Sequence, residues 1–208
     1  MAGSSERSEW RDGFLFVGNH MALDFLNTKP ILAGAAQELL SDPAALERWL
    51  EASGIIASAK QRALIRSWRD RPGTKVFLKE LRGFRERWRA VIFRIENGQA
   101  PGAKFLMELN QLLQRYPERV SVAKQGSRVK RQVSFHPRKP EDLWSPIAAA
   151  VAEMLSEVEP SRIRKCESEA CVVHFCDTSK KGARRWCSMN ICGNKLKVAA
   201  YQERRRRD

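Results

Sequence analysis

Residues 166–192 read CESEACVVHFCDTSKKGARRWCSMNIC. Four of the five cysteines in this stretch, Cys166, Cys171, Cys187 and Cys192, form two close pairs in the spacing C-x4-C-x15-C-x4-C. Thiolates brought together repel one another, so such a cluster calls for a cation. Zinc takes four sulfurs tetrahedrally and is redox-inert, which makes one Zn2+ the expected occupant. Four protein ligands leave no open position for water, so the metal is expected to be structural and not to activate a nucleophile. Function has then to be sought on the surface around it.

Working outward, Ile163 and Arg164 lead into the first pair as a short strand. The segment between the pairs, VVHFCDTSKKGARRW, reads as a hairpin with arms Val172–Cys176 and Arg184–Trp186 and Lys181-Gly182 at its turn. After Cys187, Ser188 is a natural N-cap for a helix running through SMNICGNKLKVAAYQERRRR. Knuckle, hairpin and a helix bearing the last ligand in its first turn make a treble-clef order. Helix N-terminal amides would offset part of the negative charge of a zinc ion bound by four thiolates. The fifth cysteine, Cys176, suits a small buried apolar role. His174 could serve as a ligand, but four cysteines already close the site.

The chain of 208 residues carries a net charge of +14, unevenly spread. Residues 161–208 hold 13 Lys/Arg against 5 Asp/Glu, so more than half of the excess lies in the last quarter. On the last helix Lys197, Tyr201, Arg204 and Arg205 share one face, while Leu196, Ala199 and Ala200 offer another for packing. A cationic face with one aromatic can track phosphates and stack on a base or sugar; the plainer reading is a solvated tail. Arg184 and Arg185 have two competing uses, as phosphate contacts or as charges that steady the thiolate cluster.

The string Cys192-Gly193-Asn194-Lys195 makes a family visible. With the first cysteine pair, Asp-Thr-Ser at 177–179, Arg-Arg-Trp-Cys-Ser-Met at 184–189 and the basic helix, some 45 residues resemble the CGNR zinc finger. The chain departs from that pattern at Lys195, where the family has Arg, and a flexible ammonium replaces a planar fork. At Cys176 the family more often has an aliphatic residue. Upstream, Leu23, Asp24, Phe25, Leu26, Asn27 and Thr28, together with Leu81-Arg82, resemble the ABATE domain over about residues 14–155. The two resemblances together imply a stress-induced bacterial transcription regulator that binds zinc and DNA.

The rest of the chain is expected to be mainly α with a small β-hairpin. Residues 1–13 read as a flexible leader and 14–158 as a helical ABATE-like domain; 161–208 form the finger, Glu159-Pro160 marking the boundary. Helices are expected over His20–Asn27, from Ser41 or Asp42 to Gly54, over 58–69, over 74–97 with Asn97-Gly98 as its cap, over 102–115, and from Ser145 with Pro146 to Val158. Leu78, Leu81, Phe84, Trp88, Val91, Ile92 and Ile95 recur at threes and fours in the longest. Phe105, Leu106, Leu109, Leu112 and Leu113 are expected inward in the next. RVSVAKQ and RVKRQVSF around Gly126-Ser127 predict a hairpin near 119–135.

His20, Asp24 and Asn27 form a polar stripe in an apolar segment and need buried partners or a ligand. Asp24 facing Arg82 would make an ion pair. Asp24, Asn27 and Arg82 could line a small-molecule pocket, or they could form a structural network holding two helices in register. No nucleophile or matched acid–base pair accompanies them, so an enzyme is not expected. Apolar stretches fall short of the roughly 18 residues that span a membrane. Cysteines in metal spacing suit a reducing cytoplasm better than a disulfide framework.

The function expected from all this is a cytoplasmic zinc-finger protein that binds nucleic acid, preferentially DNA, and regulates transcription. Its N-terminal domain would sense a small-molecule effector or mediate homodimer contacts. Two alternatives stand beside it: a finger that docks RNA or an acidic protein, and a small-molecule enzyme using the N-terminal pocket.

Overall fold

The computed structural model describes residues 9–32, 34–194 and 205. It is close to half helical, with short antiparallel strand pairs. β1 (Trp10–Arg11) pairs with β2 (Phe14–Leu15), inside what reads in sequence as the end of a leader. The connection is Asp12-Gly13, with φ of 49° and 81°. Two successive positive φ angles are the signature of a two-residue hairpin whose twist matches the strands.

Residues 14–17, FLFV, decide how the molecule holds together. A strand turns alternate side chains to opposite faces. Phe14 and Phe16 pack into the main helical core, whereas Leu15 and Val17 belong to a second cluster with Cys166, Val173, Phe175, Cys187 and Cys192. One extended segment thus carries two cores. The chain then turns at Gly18-Asn19 into α1 (Met21–Leu26), which His20 caps by accepting from the amide of Ala22.

β3 (Ile31–Leu32) and β4 (Ala35–Ala36) make a small ribbon that the sequence reading omits. α2 (Pro43–Ala52) starts where its N-cap Asp42 and Pro43 predict, and Gly54 follows its end at φ 82°. α3 (Ala59–Arg66) opens with a capping box between Ser58 and Gln61. The longest helix, α4 (Pro72–Glu96), begins two residues earlier than its periodicity suggests, because Pro72 occupies its first turn rather than breaking the chain.

α4 is the spine of the core. Leu78, Leu81, Phe84, Trp88, Val91 and Ile92 are buried along it, and Ile95 is partly so. Phe84 meets Trp144 edge-on at 5.2 Å and stacks on Phe105 at 5.5 Å. Phe105 comes from α5 (Ala103–Arg115), whose Leu109 is buried while Leu106 turns outward, against the sequence expectation. α6 (Trp144–Glu157) closes the core against α1 and α5. Between α5 and α6, β5 (Arg119–Gln125) and β6 (Arg128–Ser134) form the expected hairpin, almost wholly exposed.

α1 meets α4 near Trp88 and Arg89: Trp88 Nε1 donates to the carbonyl of Ala22 at 3.0 Å, and Arg89 donates to that of Leu26 at 2.9 Å. Arg82 lies nearly two turns earlier, about 9 Å along the axis. It donates instead to the carbonyl of Leu40 and lies 3.9 Å from Glu38. The buried cation of this layer is Arg85, 1% exposed, which donates to Thr28 Oγ1 and Glu38 Oε1 at 2.8 Å each and to Glu86 at 3.1 Å. The hypothesised Asp24–Arg82 pair therefore does not form.

Candidate metal centre

β7 (Ile163–Lys165) pairs antiparallel with β8 (His174–Cys176) and delivers Cys166 to the site. This pairing replaces the hairpin expected between 172–176 and 184–186. The Arg184–Trp186 arm forms no ladder and is tied by the Glu167 amide donating to the carbonyl of Arg185 at 3.0 Å. The first pair is a knuckle: the Cys166 amide donates to Val173 and the Cys171 amide to Ser168, at 2.9 and 2.8 Å. The second pair sits on Ser188. Its hydroxyl accepts from the amides of Asn190 and Ile191, and its carbonyl accepts from Cys192 and Gly193 at 3.1 and 3.0 Å. The bond to Gly193 makes Met189–Gly193 a widened, π-type turn.

The four sulfurs lie within 4.8 Å of one another. Cys171 and Cys187 are 3.9 Å apart, and Cys187 and Cys192 are 3.6 Å apart. Zn–S bonds of about 2.3 Å in a tetrahedron place sulfurs about 3.8 Å apart, so the cage is the size zinc needs. Cys166 is 2% exposed and Cys187 fully covered, with Cys192 also buried. Sulfurs this close cannot all carry full charge unassisted. Hydrogen bonds from Cys171 and Cys187 draw Cys166 down to about 2, and donating to Cys166 pushes Cys171 up to about 12. A divalent cation among them removes that conflict, and the donor set points to one structural zinc ion. His174 takes no part; its imidazole lies beside Glu96.

The Asp-Thr-Ser motif has a structural use. Burial alone would raise the Asp177 carboxyl, but hydrogen bonds from Ser179 and the Arg184 amide outweigh it and hold the group below its usual range. Arg184 Nε donates to the carbonyl of Trp186 at 2.8 Å, its terminal nitrogen donates to that of Cys187, and its guanidinium lies 4.4 Å over Phe175. It braces the peptide that carries the third ligand. Arg185 is exposed, paired with Glu167 at 2.5 Å and lying 4.8 Å over Trp186. Lys195, Lys197, Tyr201 and Arg204 lie outside the described residues; Arg205 is described and exposed.

The glycine after the last ligand has a steric reason. A Cβ at Gly193 would meet Met189 Sδ at 2.7 Å and Trp186 Cδ1 at 3.1 Å. The exposed tip of Met189 can move aside, so the resistance comes from Trp186, and Gly193→Ala is expected to cost about 1 kcal/mol. Competition with a chromogenic chelator should show faster zinc release, and the single calorimetric transition should fall by about 2–4 °C.

This centre fuses to the helical core through backbone. The Cys176 amide donates to Gly18 at 2.7 Å, and Asn19 returns a bond to the carbonyl of Cys176 at 3.1 Å. Asn27, the buried C-cap of α1, grips His174 twice: Nδ2 donates to its carbonyl at 2.8 Å and Oδ1 accepts its amide at 3.1 Å. The family models divide the chain at this junction. The model described as "Putative stress-induced transcription regulator", ABATE, matches residues 19–158. The chain belongs to the ABATE family. The CGNR zinc finger follows it, matching residues 162–205. No curated protein matches the chain. Of the ABATE motif residues, Asn27 and Thr28 thus serve the finger and the Arg85 network rather than a shared pocket with Arg82.

Asp24 remains from the hypothesised ABATE pocket. Its Oδ1 accepts the amide of Gly18 at 2.8 Å, so closely that a Cβ on Gly18 would collide with it. Burial pushes the carboxyl up to about 6, against the Gly18 hydrogen bond and the Arg11 charge. Folded ABATE domain then holds a proton between about pH 4 and 6 that the unfolded chain has released. This stabilisation is complete below the unfolded value of 3.8 and is lost as pH rises through 6. Asp24→Asn keeps the acceptor and removes the charge. It should raise stability at neutral pH by about 2 kcal/mol and flatten the decline between about pH 4 and 6, measured by urea titration.

Proposed function

We propose that the protein is a zinc-finger nucleic-acid-binding regulator, its ABATE domain forming the regulatory body on which the finger is mounted. The observation that carries this reading is a metal cage with four sulfur ligands set in a strongly cationic chain. A closed cage holds shape and leaves recognition to the surrounding surface. The order of knuckle, strand pair and ligand-bearing turn supports a treble clef.

The charge supports a polyanionic partner. The last 48 residues carry 13 basic and 5 acidic side chains. Arg185, Lys195, Lys197, Tyr201, Arg204 and Arg205 are the proposed contacts, with Arg184 reassigned to bracing the cage. A second cationic element is the β5–β6 hairpin, whose Arg119, Lys124, Arg128, Lys130 and Arg131 are exposed and whose strands contain no acid. Contacts of this kind position a protein on phosphates and carry little sequence information themselves.

The test is duplex binding across a salt series. About six phosphate contacts predict a log–log slope near −5, and charge reversal at Lys195 and Lys197 should reduce it by about 2. An affinity that barely moves with salt would rule the reading out. Single-stranded RNA bound more tightly than duplex DNA would redirect it to RNA.

A further inference from the structure

The β5–β6 hairpin carries four valines that the fold leaves uncovered. Val120, Val122, Val129 and Val133 are between 48% and 72% exposed. Side chains alternate along a strand, and directly opposed residues share a face. Val120 opposes Val133, Val122 opposes Arg131 and Lys124 opposes Val129, so all four valines stand on one face with two cations. The other face is polar and holds Arg119, Arg128 and Lys130. A lone two-stranded ribbon is marginally stable in water, and a contiguous exposed apolar face marks an interaction site.

The groove at the base of the hairpin indicates what covers that face. It has a volume of about 700 Å³ and runs between the valine face and α6. Val133 lies on one wall, and Ile55, Pro146 and Ala149 on the other. Glu118, Glu153 and Glu157 also line it, a local acidic rim in a chain of net charge +14. Arg131 answers Glu118 at 3.8 Å, and Glu153 lies 3.9 Å from His20. Glu157 has no ion pair among the described residues. The far end of the hairpin carries the complement: Lys124, also without an ion pair among the described residues, beside Val122 and Val129. Six residues of extended chain, about 20 Å, separate Lys124 from Glu118, so one molecule cannot bring the two ends together.

We propose that the valine face is an interface between two copies of the chain, packed face on face about a two-fold axis with the hairpins antiparallel. The tip of each hairpin, with Val122, Val129 and Lys124, seats in the groove at the base of the other. There Lys124 pairs with the second copy's Glu153 and Glu157. Such a contact is isologous, so every pairing occurs twice. The ribbon face alone, about 24 Å long and about 10 Å wide, falls short of the ~800 Å² per partner of a stable interface, so the groove walls are part of it. Arg119, Arg128 and Lys130 stay on the outer face, and the dimer forms whether or not the finger engages nucleic acid.

Sedimentation equilibrium of the zinc-loaded full chain, without nucleic acid, tests it. The expected species is a dimer of twice the 23.8 kDa chain mass, with a micromolar Kd. Val122→Lys combined with Val129→Lys should weaken it about a hundredfold. Lys124→Glu should weaken it about tenfold by setting like charges together, as should Glu153→Lys combined with Glu157→Lys. All three charge reversals in one chain should restore the dimer, because the pairs re-form with their signs exchanged. Lys130→Glu, on the outer face, should leave the mass unchanged. A monomer at about 100 µM chain would leave the valine face to a different protein and overturn the proposal. A dimer indifferent to the valine substitutions, one lost with Lys130→Glu, or charge reversals that do not rescue each other would overturn it too. Should the valine variant lose its hairpin, the charge exchange decides.

Discussion

Cys187→Ser is expected to abolish zinc retention and unfold the finger. Cys187 is fully covered, is in sulfur contact with Cys171 and Cys192, and leads directly into the Ser188 cap. A structural zinc site of this type is worth about 10–16 kcal/mol of apparent binding free energy, comparable to the whole stability of a domain. The loss should not stop at the finger. Leu15 and Val17 pack into the same cluster as the cysteines, so the opening strand loses one of its two faces. Metal analysis should fall from one zinc per chain to none. Amide exchange protection should vanish over 163–193 and weaken over 14–19, while α4 and α5 stay protected. Cys176→Ala is the contrasting variant. That thiol packs in the helical core, away from the sulfur cage, and zinc content should be unchanged.

Asn27→Ala is expected to give the second largest effect, and a different one. The amide side chain satisfies both backbone groups of His174 in buried surroundings. Truncation leaves an N–H and a C=O without partners, at about 1–3 kcal/mol each. A total near 3 kcal/mol should lower the melting temperature by about 6–12 °C in a chain of this size. The cage itself is untouched, so zinc remains bound at one per chain. The distinguishing signature is loss of cooperativity: a single calorimetric transition should divide into two, one for each part. An unchanged single transition would mean that the Gly18–Cys176 bond and the FLFV segment couple the parts unaided.

What was legible in the sequence was what local chemistry dictates. Asp42-Pro43 and Gly54 bound α2, the threes and fours of Leu78 to Ile92 describe α4, and Gly126-Ser127 turns the exposed hairpin. The cysteine spacing anticipates a cage of the size the structure shows. The rest depended on partners far along the chain. Asn27 reads as one step of a polar stripe because its partner is 147 residues away. Arg82 and Arg85 lie on the same helix three residues apart, and only the crossing of α1 against α4 decides which is buried. The finger's strand β8 pairs with β7 rather than with Arg184–Trp186; the Asp177 carboxylate accepts the Arg184 backbone amide and closes that loop in place of a ladder.

Two signals in the N-terminal sequence carry the join between the two cores. Asp12-Gly13, between Trp10-Arg11 and Phe14-Leu15, is a hairpin turn masked by its place in an apparent leader. FLFV at 14–17 is apolar on both faces, which marks a strand between two cores rather than at the edge of one.

The structure joins a closed sulfur cage to a helical body, and zinc-edge X-ray absorption of the full chain tests that most directly. Four sulfurs at about 2.3 Å with no lighter atom in the coordination shell, at one zinc per chain, is the predicted result. A nitrogen or oxygen ligand near about 2.0–2.1 Å would mean an open or histidine-bearing site and would contradict it.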